Sequence, residues 1–260
     1  MASEVKTNKL SPSTGVTVTL GDASDVFQLP ASAEIDIASG ATLDVNGTID
    51  ITGATATGFP SSGFASLQLF VSTGTWTKPA DITTIIVEVQ GSGGGSGSLD
   101  ASGYVGGSGG GGAYALKVLD VTNIDTATVT VGAGGLAAAA GNTSSFAKLA
   151  GSGSFTTVTC AGGNGGANGS GAQGNGGTGA ATPTTGDINL AGGDGAHGSA
   201  NFLTAIGGSG QLGQATLHNI GTSQAARTPV GYGAGSGSGT GSSQAGGVAA
   251  TGTVRVWEYK

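Results

Sequence analysis

Charge is scarce in this chain. Of its 260 residues, 9% are charged and 5% are aromatic. A chain of this length with so few large side chains lacks the material for a conventional core. It also lacks the charge that keeps disordered segments solvated. Cysteine occurs once, as Cys160. That excludes an intrachain disulfide framework and a cysteine-rich metal site, and in an apolar run a lone cysteine reads as a small buried hydrophobe. Basic residues are few and scattered, eight in all against fifteen acidic ones, for a net charge of −7. A phosphate backbone needs a basic patch, so nucleic acid is not an expected partner. No apolar run approaches the roughly 20 residues that span a bilayer, so no membrane insertion is expected. The first residues, Met1 to Lys9, contain no apolar core of a secretory signal. Synthesis in a cytoplasm is therefore expected, with release by lysis as the route to any role outside a cell.

Glycine is abundant instead, with 55 residues, roughly three times ordinary usage. Residues 1–30 read as a polar arm. Alternation in Gly15–Gly21 predicts a strand, and Val26–Pro30 a second, stopped by proline. Residues 31–63 carry a degenerate repeat: Ile35-Asp36-Ile37, Leu43-Asp44-Val45, Ile49-Asp50-Ile51 and Thr55-Ala56-Thr57, each followed by a glycine. In the first three units two apolar residues point to one face and Asp to the other. Such short strands are marginal alone, and association of identical chains on a common axis would bury the apolar faces. This predicts a thin homotrimeric shaft with Asp36, Asp44 and Asp50 outward. Solvated faces explain these Asp residues better than metal ligation.

Residues 64–160 predict a β platform. Strands are expected at Leu67–Val71, Thr83–Gln90, Tyr114–Val118, Thr126–Val131, Ser145–Leu149 and Phe155–Cys160, where β-branched and aromatic residues are bounded by Gly, Asn or Pro. Residues 253–260 predict the closing strand. No segment has helical periodicity, so an all-β, elongated protein with a β-sandwich-like head is expected, with no α-helix.

Residues 161–252 hold three charged residues, Asp187, Asp194 and Arg227. From Gly162 to Gly179, ten of eighteen residues are glycine, mostly in triplets, and residues 91–112 hold twelve in 22. Alternate positions are glycine from Gly231 to Gly241. A three-residue period matches an extended left-handed helix. Collagen would need abundant proline, and only Pro183 and Pro229 occur in this region. The expectation is a polyglycine II bundle, in which side-chain-free helices approach closely and bond backbone to backbone. Hydrogen bonds worth about 1 kcal/mol each offset a glycine entropy cost of about 0.5–1 kcal/mol per residue. A flexible linker is the competing reading. Against it stand the strand that follows and the non-repetitive stretches Leu99–Val105, Thr184–Leu190, Asp194–Ile206 and Gln211–Arg227.

Those features carry a resemblance. Gly74-Thr75-Trp76-Thr77-Lys78-Pro79-Ala80-Asp81-Ile82-Thr83, running into Ile85–Gln90 and a glycine run, resembles the start of the glycine-rich C-terminal domain of phage tail fibres. Val129–Gly135, Gly141–Phe146, Ala161–Gly163 and Gly252–Tyr259 fit the same domain, so the resemblance covers roughly residues 70–260. Thr7–Gly15 with Thr19–Asp22 is similar to the opening of short fibres of marine and cyanobacterial phages. The glycine runs are similar to those of adhesins at the fibre tips of T4-like phages, although this chain carries its own shaft-like N-terminus. The resemblance implies a homotrimeric fibre located in the virion tail. Its N-terminus would bind the tail, baseplate or an adaptor, and its distal head a bacterial surface protein or glycan.

Chemistry is sparse. There is no HExxH, no phosphate-binding loop and no dinucleotide fingerprint, and GxGxxG-like strings mean little in so glycine-rich a chain. His197 lies near Asp194 and Ser199, a proximity common in polar loops. Asp187 and Asp194 are the only acidic pair in 161–252 that could serve a depolymerase. No catalytic residue, metal or cofactor is expected, and the chain is read as no enzyme. Receptor-binding candidates are the large or hydrogen-bonding side chains expected in exposed tips: Tyr104, His197, Asn201, Phe202, Leu203, Leu217, His218, Asn219, Arg227 and Tyr232. Local packing is the competing role for Phe202, Leu203 and Leu217. Trp76 and Trp257 are expected against the platform. Adhesion through tip loops, a purely structural fibre or baseplate part, a depolymerase and an ice-binding protein remain as readings.

Overall fold

The computed structural model describes residues 63–199, 206–215, 225–239 and 243–260. The chain divides at Gly58, and every described residue belongs to the unit Phe59–Lys260. The arm and shaft expected over residues 1–62 lie outside the described residues.

The described residues are all-β, without a helix. In chain order the strands are β1 (Phe64–Phe70), β2 (Gly74–Thr77), β3 (Thr84–Gln90), β4 (Tyr114–Asp120), β5 (Thr126–Thr130), β6 (Ser144–Ala150), β7 (Val158–Cys160), β8 (Ile188–Leu190), β9 (Gly213–Gln214), β10 (Val230–Gly231) and β11 (Thr253–Tyr259). Two antiparallel sheets build the platform, one in the order β1-β11-β3-β4-β8 and one in the order β2-β5-β6-β7. Alternation decides which residues meet between them. In β3, Ile85, Val87 and Val89 are fully buried, and Val87 and Val89 pair with Val256 and Val254 of β11. From the smaller sheet come Trp76, Ala127, Val129, Phe146, Val158 and Cys160, all with no exposure. Trp76 meets Phe146 edge-on at 5.8 Å, and Phe146 stacks on Phe155 at 5.6 Å. A sandwich with interdigitating inner faces is the result.

Glu258 is the one acid inside this core. Its carboxyl group accepts from the Trp76 indole N–H at 2.7 Å, the Gln68 amide at 2.8 Å and the Ser66 hydroxyl. Three donors from two other strands make its burial tolerable.

The glycine runs leave the platform as extended segments. Residues 91–99 continue β3, 104–113 lead into β4, 161–169 continue β7, 191–198 continue β8, and 243–252 lead into β11. Their hydrogen bonds repeat every three residues. Gly91, Gly94 and Gly97 donate to Ala113, Gly110 and Gly107, while Gly93, Ser96 and Leu99 donate to Ala250, Gly247 and Gln244. Positions three apart thus address one neighbour, as a helix of three residues per turn requires. This is a polyglycine II bundle.

Residues 107–112 lie at its centre. Gly107 and Gly110 donate to residues 164–167, Ser108 and Gly111 to 193–196, and Gly109 and Gly112 to 233–236, at 2.7–3.0 Å. Their carbonyls accept from Gly97, Gly177, Gly208, Gly94 and Ala180, and from the Gln90 side-chain amide. Six other segments therefore surround one, and all twelve backbone groups are paired. The close approach needs glycine: a Cβ on Gly109 would lie 1.7 Å from the Gly94 carbonyl oxygen.

Candidate recognition tip

The bundle ends in turns at the end opposite the sandwich, where backbone partners run out and side chains replace them. The Asn168 side chain accepts from Ser98 N–H at 2.8 Å, and the Gln173 side chain from Val105 N–H at 2.9 Å. The Ser98 hydroxyl accepts from Gly246 N–H at 3.1 Å. Each side chain belongs to a different segment from the donor it caps.

Asp100 joins its own turn to the turn at Gly171 and to the segment that starts at Ser243. Its Oδ1 accepts from Ser102 and Tyr104 N–H, both at 2.9 Å, and Oδ2 accepts from Gly171 N–H at 3.4 Å. Its carbonyl accepts from Gly103 at 3.3 Å and Ser243 at 3.1 Å. Asx-type bonding within its own turn is ordinary for aspartate; the reach to Gly171 and Ser243 is what ties separate segments together. Gly103, Gly171 and Ser243 have φ of +81°, +66° and +54°, so each segment that Asp100 reaches contains a left-handed residue. The result is a set of chain reversals fixed on a rigid bundle.

Among the sequence candidates, Tyr104 stands in this tip, half-buried, its backbone held by Asp100. His197 is exposed on the bundle flank, where its Nδ1 accepts from Gly176 N–H at 3.3 Å. Three residues earlier, Asp194 accepts from Gly179 N–H at 2.7 Å. These two side chains serve separate backbone donors and do not pair as acid and base. Asp187 accepts from Val118 N–H at 2.9 Å beside β4, away from Asp194. Arg227 is exposed, and its backbone bridges to Gly237.

Tyr232 is not at the tip. It follows β10 at the platform end, where its N–H donates to Leu212 at 3.1 Å. The alternating glycines around it gave no direction to the segment, so sequence spacing could not tell its root from its end. Asn201, Phe202, Leu203, Leu217, His218 and Asn219 lie outside the described residues. Among the described residues no three His, Cys, Asp or Glu side chains gather as a metal site.

Sequence reasoning missed Asp100, Asn168 and Gln173 as organisers of the tip. The available signal was that Asp100 is the only acid in the glycine run 91–112.

A family model for a glycine-rich domain matches residues 69–259. The chain belongs to this glycine-rich domain family. The matched span takes in the platform and the bundle alike, so the glycine-rich domain comprises both parts. No curated protein matches the chain closely enough to count as a relative.

Proposed function

We propose that this chain is a bacteriophage tail fibre whose glycine-rich head binds the bacterial surface through the turns at the free end of its bundle. The observation that supports this best is the Asp100 network: one carboxylate and its own carbonyl hold two turns and the segment at Ser243 in one arrangement. Binding loops work best when their conformation is settled before the partner arrives, since less entropy is lost on contact. Loops on a rigid scaffold are also where recognition residues concentrate. In this reading the fibre is a homotrimer attached to the virion through its N-terminal residues, and its partner is a surface protein or glycan. Tyr104 is the described candidate at the tip, with His197 on the adjoining flank. Adhesion, not bond cleavage, is the activity proposed.

The test is adsorption. Labelled protein should bind envelopes of the bacterium in which the virus grows and should compete with virions for them. Asp100→Ala frees three N–H groups of the turns and should lower binding by tenfold or more while the melting of the sandwich changes little. Full binding by a correctly folded Asp100→Ala variant would remove the tip from the mechanism. Absence of envelope binding by the parent, with normal assembly, would favour a purely structural fibre part.

A further inference from the structure

The outer face of the five-stranded sheet is apolar and open. Phe64, Leu67 and Leu69 of β1, Val118 of β4, and Ile188 and Leu190 of β8 are 38–58% exposed. Register places them together. Leu67, Trp257, Ile86 and Val118 form one row across four strands, and Leu69, Arg255, Glu88, Leu116 and Ile188 form the next across five. The Phe64 ring lies 6.0 Å from Trp257 and 5.9 Å from Tyr259.

The charges at the centre of this face are matched internally, and Asp120, exposed at one end in the row of Tyr259 and Thr84, accepts from Thr122 N–H at 2.8 Å. Glu88 accepts from the Tyr114 hydroxyl at 2.7 Å and the Trp257 indole at 3.0 Å, and Arg255 lies 3.9 Å from it. Burial and the adjacent Glu88 carboxyl push the Tyr114 hydroxyl's pKa well up, so it stays a donor. Apart from Asp120 at that end, the face therefore offers a charged partner little to pair with, and an identical face little to repel. A closed assembly of identical chains can bury such a surface around its axis.

We propose that copies of this chain associate through this sheet face. The inference rests on the multi-chain fibre reading and adds the surface. Four strand spacings by a seven-residue strand give a flat footprint of about 400 Å², the size of the largest, often functional, patches of monomers. Alone it falls below the total of about 1,200 Å² of stable interfaces, so something else must bring the copies together. Gly63 and Lys260 exchange hydrogen bonds at 3.2 and 3.1 Å beside β1. The 62 upstream residues thus join the unit at the rim of this face, and association through them would bring neighbouring faces close.

Thiol labelling of the full chain tests the proposal, because Cys160 is buried and contributes no background. Leu69→Cys places a thiol in the face, and Leu149→Cys places one at an equally open site on the other sheet. Sedimentation of the same samples gives the mass. The expected result is an associated chain in which Leu69→Cys reacts at least tenfold more slowly than Leu149→Cys, with the difference lost on dilution to monomer. Leu69→Lys with Val118→Lys should lower the associated mass, whereas Leu149→Lys should not. Equal labelling in an associated chain would overturn this surface and leave the multi-chain fibre standing. A monomer with equal labelling at tens of micromolar would overturn both. Protection that persists in a dilute monomer would assign the cover to the chain's own upstream residues and overturn association through the face.

Discussion

At Gly109 an added methyl group would sit 1.7 Å from a backbone oxygen, with the Gly94 carbonyl carbon at 2.4 Å. Nothing there is a flexible side chain that could move aside. Gly109→Ala should therefore destabilise the protein by at least about 3 kcal/mol, the upper range of overpacking. Gly103 is the control, with no atom within 4 Å of its Cβ position but a φ of +81°. Gly103→Ala should cost only the left-handed penalty of about 1–2 kcal/mol. Denaturant midpoints at constant slope separate the two. Cys160 gives a pH prediction. Burial pushes its thiol up to about 12, so the folded chain holds a proton that the unfolded chain releases above its ordinary value. Stability from this group is complete below that ordinary value and falls as pH rises towards 12, by about 1.4 kcal/mol per pH unit. Tyr114 adds loss in the same direction at still higher pH. Cys160→Ala should flatten the first part of the decline in an alkaline denaturation series.

Among the elements, β11 is an inner strand of the larger sheet, pairing with β1 on one side and β3 on the other. Its inward Glu258 makes that position specific. Glu258→Ala would strand the buried Trp76 N–H and leave the half-buried Gln68 amide and Ser66 hydroxyl without this acceptor. At about 1–3 kcal/mol per unsatisfied donor, a loss near 3 kcal/mol is expected after relaxation. Glu258→Gln keeps one acceptor oxygen and should lose less. Thermal unfolding followed by tryptophan fluorescence reads both variants. The strands were largely legible in the sequence where β-branched residues alternate, as in Thr84–Gln90 and Thr253–Tyr259. Four elements were not: β2, β8 and the two-residue strands β9 and β10. β2 is four residues long and contains a glycine and two threonines, and its place depends on Trp76 filling the space beside Phe146. β8 sits in a stretch that reads as a loop, and it is a strand because its partner β4 offers an edge at Tyr114–Leu116. The stretch Phe155–Cys160 shortens to β7, with Phe155 stacking on Phe146 instead of extending the ladder.

Across the molecule, stability is carried by two kinds of interior. The sandwich is held by apolar burial, and the bundle by backbone hydrogen bonds supplemented by a few buried serine hydroxyls such as Ser96 and Ser236. Amide exchange should reveal the second kind. Residues 107–112, enclosed by six segments, should exchange most slowly within the bundle. Ser170–Ala172, at the tip and largely exposed, should exchange fastest. Mass-spectrometric exchange resolves the two peptides, and equal rates would mean that the bundle opens as a unit from the platform. The candidate tip was less legible than the fold, because its organising bonds link residues as far apart as Asp100 and Gly171 or Ser98 and Gly246. No local spacing encodes such pairs.

What the sequence determined by itself is the material. Glycine at a three-residue period allows extended helices to touch, and scarcity of charge and aromatics leaves few other ways to build an interior. The alternating β strands at both ends of the glycine runs supply anchors. Tertiary structure decided how the segments are arranged: which one becomes the centre, which turns meet at Asp100, and that Tyr232 stands at the root of the bundle. Glycine has no side chain by which one segment could recognise another. Neighbours are therefore chosen by where the strands anchor each segment and by the Ser, Asn, Gln and Asp side chains that cap its end.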